Sequence, residues 1–157
     1  MIFAEPGHPY TSDCYDAGRG PDSIFAQAVE ATFGIMNSSQ DIFHRNVRWF
    51  IDQILPHKNL REQLENVWLT EGRLCSVDQE IGGRKDRLCA QTYLLRQIEL
   101  MPQAIVIGFG GKAQAYLSGL KVPHIAAYSL APPGSNHRPA RPSWEMAAVA
   151  VRPKFPA

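Results

Sequence analysis

The run Ala104-Ile105-Val106-Ile107 constrains the fold more than any other segment. It is continuously apolar, where a strand with one wet face would alternate. It therefore predicts a strand covered on both faces. Such strands belong to parallel sheets, whose crossovers lay helices over the sheet. The rest of the chain fits, alternating short apolar runs with helical periodicity. Met1-Ile2-Phe3-Ala4 predicts a first strand, stopped by Pro6-Gly7. Val67-Trp68-Leu69-Thr70 predicts a second, and Val122 to Tyr128 a fourth. Phe25, Val29 and Phe33 repeat at helical spacing behind an N-cap at Asp22 or Ser23. Phe43, Val47, Phe50, Ile51 and Ile54 share one face of a helix that begins near Asp41 and ends at Pro56. A long helix is predicted from about Arg84 to Met101, burying Leu94, Ile98 and Met101. Ala113, Tyr116, Leu117 and Leu120 mark another, and Ser143 caps a last one from Trp144 to Val151. The expectation is an α/β chain with one domain over residues 1–157. Its architecture would be a three-layer α/β/α sandwich on a central four-stranded parallel sheet.

Size and charge narrow the class. A chain of 157 residues buries a core without staples. Sixteen Lys and Arg stand against fifteen Asp and Glu, a formal net charge of +1. A protein that only coats nucleic acid is usually far more basic, so any such role rests on a local patch. Three cysteines are too few and too odd for a disulfide framework, and they fit a reducing compartment. No apolar stretch approaches the roughly 18–20 residues that span a bilayer. The opening residues turn acidic too soon for a secretory signal. A cytoplasmic protein with no membrane partner is expected; the oligomeric state stays open.

Ligands of open parallel sheets bind at the carboxyl ends of the strands. Those ends are Glu5 to Pro9, Thr70 to Cys75, Gly108 to Gly111 and Ser129 to His137. Gly108-Phe109-Gly110-Gly111-Lys112 reads as a tight strand-to-helix turn. It lacks the G-x-G-x-x-G spacing, and the acidic residue about twenty positions on, of a dinucleotide site. Glu5 is either a carboxylate that positions or deprotonates a water, or an exposed turn residue. Ala131-Pro132-Pro133-Gly134-Ser135-Asn136-His137-Arg138-Pro139 is stiffened by proline, with Ser135, Asn136, His137 and Arg138 to donate hydrogen bonds. Such a loop suits a groove lined by phosphates. Arg141, Arg152 and Lys154 follow it, and Arg84, Lys85 and Arg87 offer a second patch. The same charges also read as a solvated face. Cys75 and Cys89 alone do not make the four-ligand site of a structural zinc, and Cys14 has no cysteine near it. Free thiols are expected.

Together these pieces resemble the uracil-DNA glycosylase superfamily, above all its branch that carries an iron–sulfur cluster. Val67-Trp68-Leu69-Thr70-Glu71-Gly72-Arg73-Leu74-Cys75 is similar to that branch's strand ending in T-N-x-x-K-C. Cys89 through Ile98 is similar to its C-x-x-Y-L-x-x-Q-I helix, and Pro102 to Ala113 to its P-x-x-I-V-x-L-G-x-x-A turn. The resemblance implies a hydrolase that flips a damaged or deaminated base out of DNA and cleaves its N-glycosidic bond. Phe3-Ala4-Glu5-Pro6-Gly7 stands in the place of the first catalytic motif, G-E-A-P-G in this branch. Aligned on Pro6, the acidic position falls on Ala4, and Glu5 lies one residue on. The implied role of Glu5 is to position the attacking water, with Pro6 and Gly7 shaping the pocket. Ala131-Pro132-Pro133-Gly134 stands where many members have H-P-S-P. Its His position is Ala131, with His137 six residues later as the alternative catalytic group. Ser135 and Asn136 would join His137 and Arg138 in the wedge. Glu71 replaces the Asn that reads the base edge. An ionised carboxylate only accepts hydrogen bonds, so a base offering an amino group suits it. Tyr10, Tyr15 or Phe25 would stack on the base, and Arg138, Arg141 and Lys112 would meet DNA. No metal is expected. A [4Fe–4S] cluster is not expected either, because only Cys75 and Cys89 match its ligand pattern and the chain as given carries no upstream pair. The alternative is a catalytically degenerate module of the same fold that binds a nucleic acid or nucleotide. A small-molecule enzyme built on the Gly108–Gly111 turn is a third, weaker reading.

Overall fold

The computed structural model describes residues 1–4, 20–74 and 87–155. The first strand, β1, is Ile2–Phe3. Helices α1 (Pro21–Ser38), α2 (Ile42–Ile54) and α3 (Leu60–Glu65) lead to β2, Thr70–Glu71. One continuous helix, α4, begins with Arg87–Cys89, passes through a π-helical stretch Ala90–Leu94 and ends as Leu95–Glu99. Then come β3 (Ile107–Phe109), α5 (Gly111–Gly119) and β4 (Ile125–Ala127). A 3₁₀ turn, Gly134–Asn136, precedes α6 (Ala140–Val151), and a second, Arg152–Lys154, follows it. The chain is thus mixed α/β with a four-stranded, all-parallel sheet in the order β2-β1-β3-β4. Ile2 lies opposite Thr70 on one side and Gly108 on the other, and Ile107 opposite Ile125.

The core forms two clusters. Met1, Ile107 and Phe109 pack with Val47, Phe50 and Ile51 of α2 and with Trp144 and Val151 of α6, with Phe3 against them. Ile2 packs instead with Leu94 of α4 and Ala113, Tyr116 and Leu117 of α5, with Val106 beside them. Successive side chains of a strand point to opposite faces, and here they feed different clusters. Each fully buried side chain of this kind contributes roughly 1.5–3 kcal/mol.

The α2 register follows the sequence closely. Asp41 caps it, accepting from His44 N at 2.9 Å, and Val47, Phe50, Ile51 and Ile54 are buried. Other boundaries differ. The Asp22 or Ser23 cap is instead Gly20, with Pro21 in the first turn, where its fixed φ and missing N–H cost nothing. On α1 Phe25 is 71% exposed and only Met36 is buried. The second strand is not Val67–Thr70 but Thr70–Glu71, because only those residues lie opposite the two of β1. The third is not Ala104–Ile107 but Ile107–Phe109, where β4 supplies partners; Ile105 and Val106 ahead of it still pack on different clusters. Gly108 and Phe109 therefore belong to the strand rather than the turn. The fourth strand shortens to Ile125–Ala127. The long helix ends at Glu99 rather than Met101; Leu94 is fully buried, but Ile98 and Met101 are only half-buried. Ser143 is not an N-cap. The last helix starts at Ala140, because Pro142 sits in the first turn without needing a donor. Helix α3 has a full capping box, Asn59 with Glu62.

Candidate nucleic-acid interface

All four strands point the same way, so their carboxyl ends share one edge. β1 lies inside the sheet: its crossover leads to β2 on one side, while β3 and β4 continue on the other. In open sheets ligands bind where the strand order reverses, which here falls between β1 and β3. At β3 the chain turns on Gly110, whose φ of +87° is a conformation that side chains rarely adopt. Gly110 N donates to Ala127 O at 2.8 Å, and Gln114 Nε2 of α5 donates to the same carbonyl at 2.8 Å. Lys112 follows in the first turn of α5, half-buried.

The segment after β4 is fixed at its base. Tyr128 N donates to Ser143 Oγ, and Trp144 Nε1 donates to Tyr128 O, each at 2.9 Å. Asn46 Nδ2 of α2 donates to the carbonyl of fully buried Leu130 at 2.8 Å. Ser129 Oγ accepts from Ala131 N and reaches Ala131 O, both at 3.1 Å. Ser129 is also gripped between two glycines. A Cβ on Gly134 would stand 2.7 Å from Ser129 Cβ, and one on Gly110 would stand 3.1 Å from it. The Pro132–Pro133 bond is cis. Ser135 N donates to Ala131 O at 2.9 Å and closes the turn.

This fixed base presents polar groups at its tip. Ser135 is half-buried, and its Oγ is buried with no hydrogen-bond partner among the described residues. Asn136, His137 and Arg138 are exposed. The His137 ring lies 6.2 Å from that of Tyr128, which is itself exposed. Arg141 Cζ stands 3.3 Å over the Trp49 ring, and Trp49 leans on Trp144 at 6.2 Å. Arg141 also reaches Glu145 at 3.4 Å, an exposed pair worth little by itself. The structure thus brings Ser135, Asn136, His137, Arg138 and Arg141 together at the β4 end.

Glu71 is half-buried at the far edge strand, β2. Three strand spacings put it about 14 Å from the β4 end, with the end of β1 between them. Phe25 stands exposed on α1. Glu5, Pro6, Gly7, Tyr10, Tyr15, Cys14, Cys75, Arg84 and Lys85 lie outside the described residues. Cys89 is a buried free thiol whose sulfur accepts from Leu74 N at 3.3 Å. Among the described residues no three His, Cys, Asp or Glu side chains group to hold a metal ion, and no helix is long and apolar enough to cross a membrane. Sequence reasoning missed Tyr128, Asn46 and the Trp49–Arg141 stack. Tyr128 was visible only as the end of an apolar run.

A cavity of about 690 Å³ opens at the opposite end of the sheet, lined by Met1, Val67, Trp68, Ile105 and Phe155 among others. Burial there pushes the Met1 α-amine down to about 5, and the amine donates to Trp68 O at 2.8 Å. This cavity is mainly apolar and far from the fixed loop. Comparisons with protein-family models, curated proteins and solved structures find no match to the chain.

Proposed function

We propose that the chain is a DNA glycosylase-like hydrolase that takes a deaminated or damaged base out of DNA and cleaves its N-glycosidic bond. The observation that carries this reading is the Tyr128–Pro139 segment. Its base is tied to α2 and α6, and its tip offers Ser135, Asn136, His137 and Arg138 at the carboxyl edge. A wedge has to be stiff, because a loop that yields does not hold a base out of the stack. The two core clusters, fed by alternate strand residues, support a three-layer α/β/α arrangement around the sheet. Sparse cysteines fit a cytoplasmic setting.

In this reading Glu5, two residues past β1, orients a water toward the anomeric carbon of the flipped nucleotide. The water oxygen bonds to that carbon, the carbon–nitrogen bond breaks with its electrons leaving on the base, and the carboxylate takes up the water proton. The same negative charge stabilises the cationic sugar as the bond lengthens. Glu71, beyond β1, accepts from an amino group on the base edge. Ser135, Asn136 and His137 fill the space the base leaves, while Arg138, Arg141 and Lys112 meet phosphates.

The test is a panel of single-stranded and duplex oligonucleotides carrying uracil, hypoxanthine or xanthine. Incubation should leave an alkali-labile site with at least one of them, and Glu5→Gln should abolish it. A panel with no cleavage overturns the reading. One observation favours binding without catalysis: Ala131, where the resemblance expects a histidine, presents only a methyl group. That second reading predicts DNA binding with no base released.

A further inference from the structure

We propose that Tyr128 and His137 form a stacking step for an unpaired nucleobase, so that the β4 edge takes single-stranded DNA. This rests on the DNA reading above and names the form of DNA.

Tyr128 is mounted rather than packed. Its backbone N–H and carbonyl are both bound to α6, through Ser143 Oγ and Trp144 Nε1. The residue is nevertheless 42% exposed. His137 is exposed as well, and its ring faces that of Tyr128 across 6.2 Å at 43°. Two tilted rings at that distance leave flat faces open instead of covering each other. Every nucleobase has a flat face, and stacking on such a platform tolerates any sequence. In a duplex those faces are hidden by neighbouring pairs, so the platform selects unpaired bases.

Charge supports the same partner. After Glu99 the chain carries six basic residues, Lys112, Lys121, Arg138, Arg141, Arg152 and Lys154, against one acidic residue, Glu145. The overall +1 thus hides a strongly basic C-terminal segment, residues 100–157. β3, β4 and the fixed loop all belong to that segment. Arg138 directly follows His137 and is exposed, in place to meet a phosphate beside a stacked base. Arg141 is held over Trp49, which aims its guanidinium one helical turn further on. Arg141 also faces Glu145, so Arg138 is the stronger phosphate candidate.

The experiment measures fluorescence anisotropy of a labelled, unmodified oligothymidylate and of a duplex of equal length. The proposal predicts that the chain binds the single strand, that Tyr128→Ala weakens that binding about tenfold, and that Tyr128→Phe leaves it within about twofold. His137→Ala should also weaken it, while duplex binding should stay the same for Tyr128→Ala and Tyr128→Phe. Thermal melting of each variant verifies folding, which Tyr128 supports through its backbone. No binding of the single strand, binding by Tyr128→Ala at the wild-type level, or equal loss on single strand and duplex overturns the proposal. The unmodified strand has no base to excise. A Tyr128-dependent affinity with no excision therefore refutes only the hydrolase, and excision with a Tyr128-independent affinity refutes only the stacking step.

Discussion

Gly134→Ala is the sharpest probe of the fixed loop. The added Cβ would stand 2.7 Å from Ser129 Cβ and 3.5 Å from Ser129 Oγ. The first distance is well inside carbon–carbon contact, and the atom it meets is the root of a side chain rather than a flexible end. Ser129 has little room to retreat: Gly110 approaches from another side, and the Ser129 hydroxyl is bonded to Ala131. Forced overpacking of this kind costs about 1–3 kcal/mol. For a chain of this length that is a fall in Tm of roughly 2–4 °C per kcal/mol. Removing the Ser129 side chain removes the obstacle. Ser129→Gly alone should destabilise by about 1 kcal/mol through its lost hydrogen bonds. In the double variant, Gly134→Ala should then add almost nothing, a coupling of about 1–3 kcal/mol. Urea denaturation of the four proteins with unchanged m-values measures it. A Gly134→Ala protein as stable as wild type, or additive effects in the double variant, refutes the reasoning.

Other ties of the loop give independent outcomes. Asn46→Ala should cost about 1–3 kcal/mol in urea denaturation, because it deprives the buried Leu130 carbonyl of its donor. It should weaken DNA binding too, since α2 then no longer anchors the loop. Trp144→Phe keeps a ring beside Trp49 but removes the N–H that holds Tyr128 O, and should lower stability by about 1 kcal/mol or more. Asp41→Ala should cost about 1 kcal/mol through the lost cap of α2. Burial pushes the Asp41 carboxyl up, but the His44 N–H, the His44 ring and its charge outweigh this and leave it below its ordinary 3.8. Its stabilisation is therefore present above about pH 4 and lost as pH falls through the lowered native value. Denaturation midpoints of the wild type should fall more steeply below about pH 4 than those of Asp41→Ala.

The parts of the fold legible in sequence are those that local chemistry determines. Asp41, the spacing of Phe43, Val47, Phe50, Ile51 and Ile54, and Pro56 together define α2, and the structure follows them. The parallel sheet was legible in the alternation of short apolar runs with helical patterns, although of the run Ala104–Ile107 only Ile107 lies in β3. Strand boundaries were not, because they depend on partners distant in sequence: two residues of β1 limit β2 to Thr70–Glu71. Nor did Pro142 announce that it lies inside a helix, since its missing N–H is harmless only in a first turn, which here begins at Ala140. The π-helical stretch Ala90–Leu94 has no signature in its residues. Asn59-Leu60-Arg61-Glu62 carries a capping-box signal for α3 in the sequence itself. At the candidate interface, Ser135 to Arg138 were legible as a stiff polar loop. What stiffens the loop was hidden, because Asn46 and Trp144 reach it from α2 and α6. Tyr128 reads as one more apolar strand residue until the exposure of its ring is known.

Whether this edge of the sheet excises a base is read out by mass spectrometry of the released base. Wild-type protein, incubated with a single strand carrying one uracil, hypoxanthine or xanthine, should release the free base and leave an abasic strand that keeps its length until alkali is added. The same incubation with Glu5→Gln should release none. Failure to release any of the three bases, or equal release by Glu5→Gln, would contradict the proposed excision.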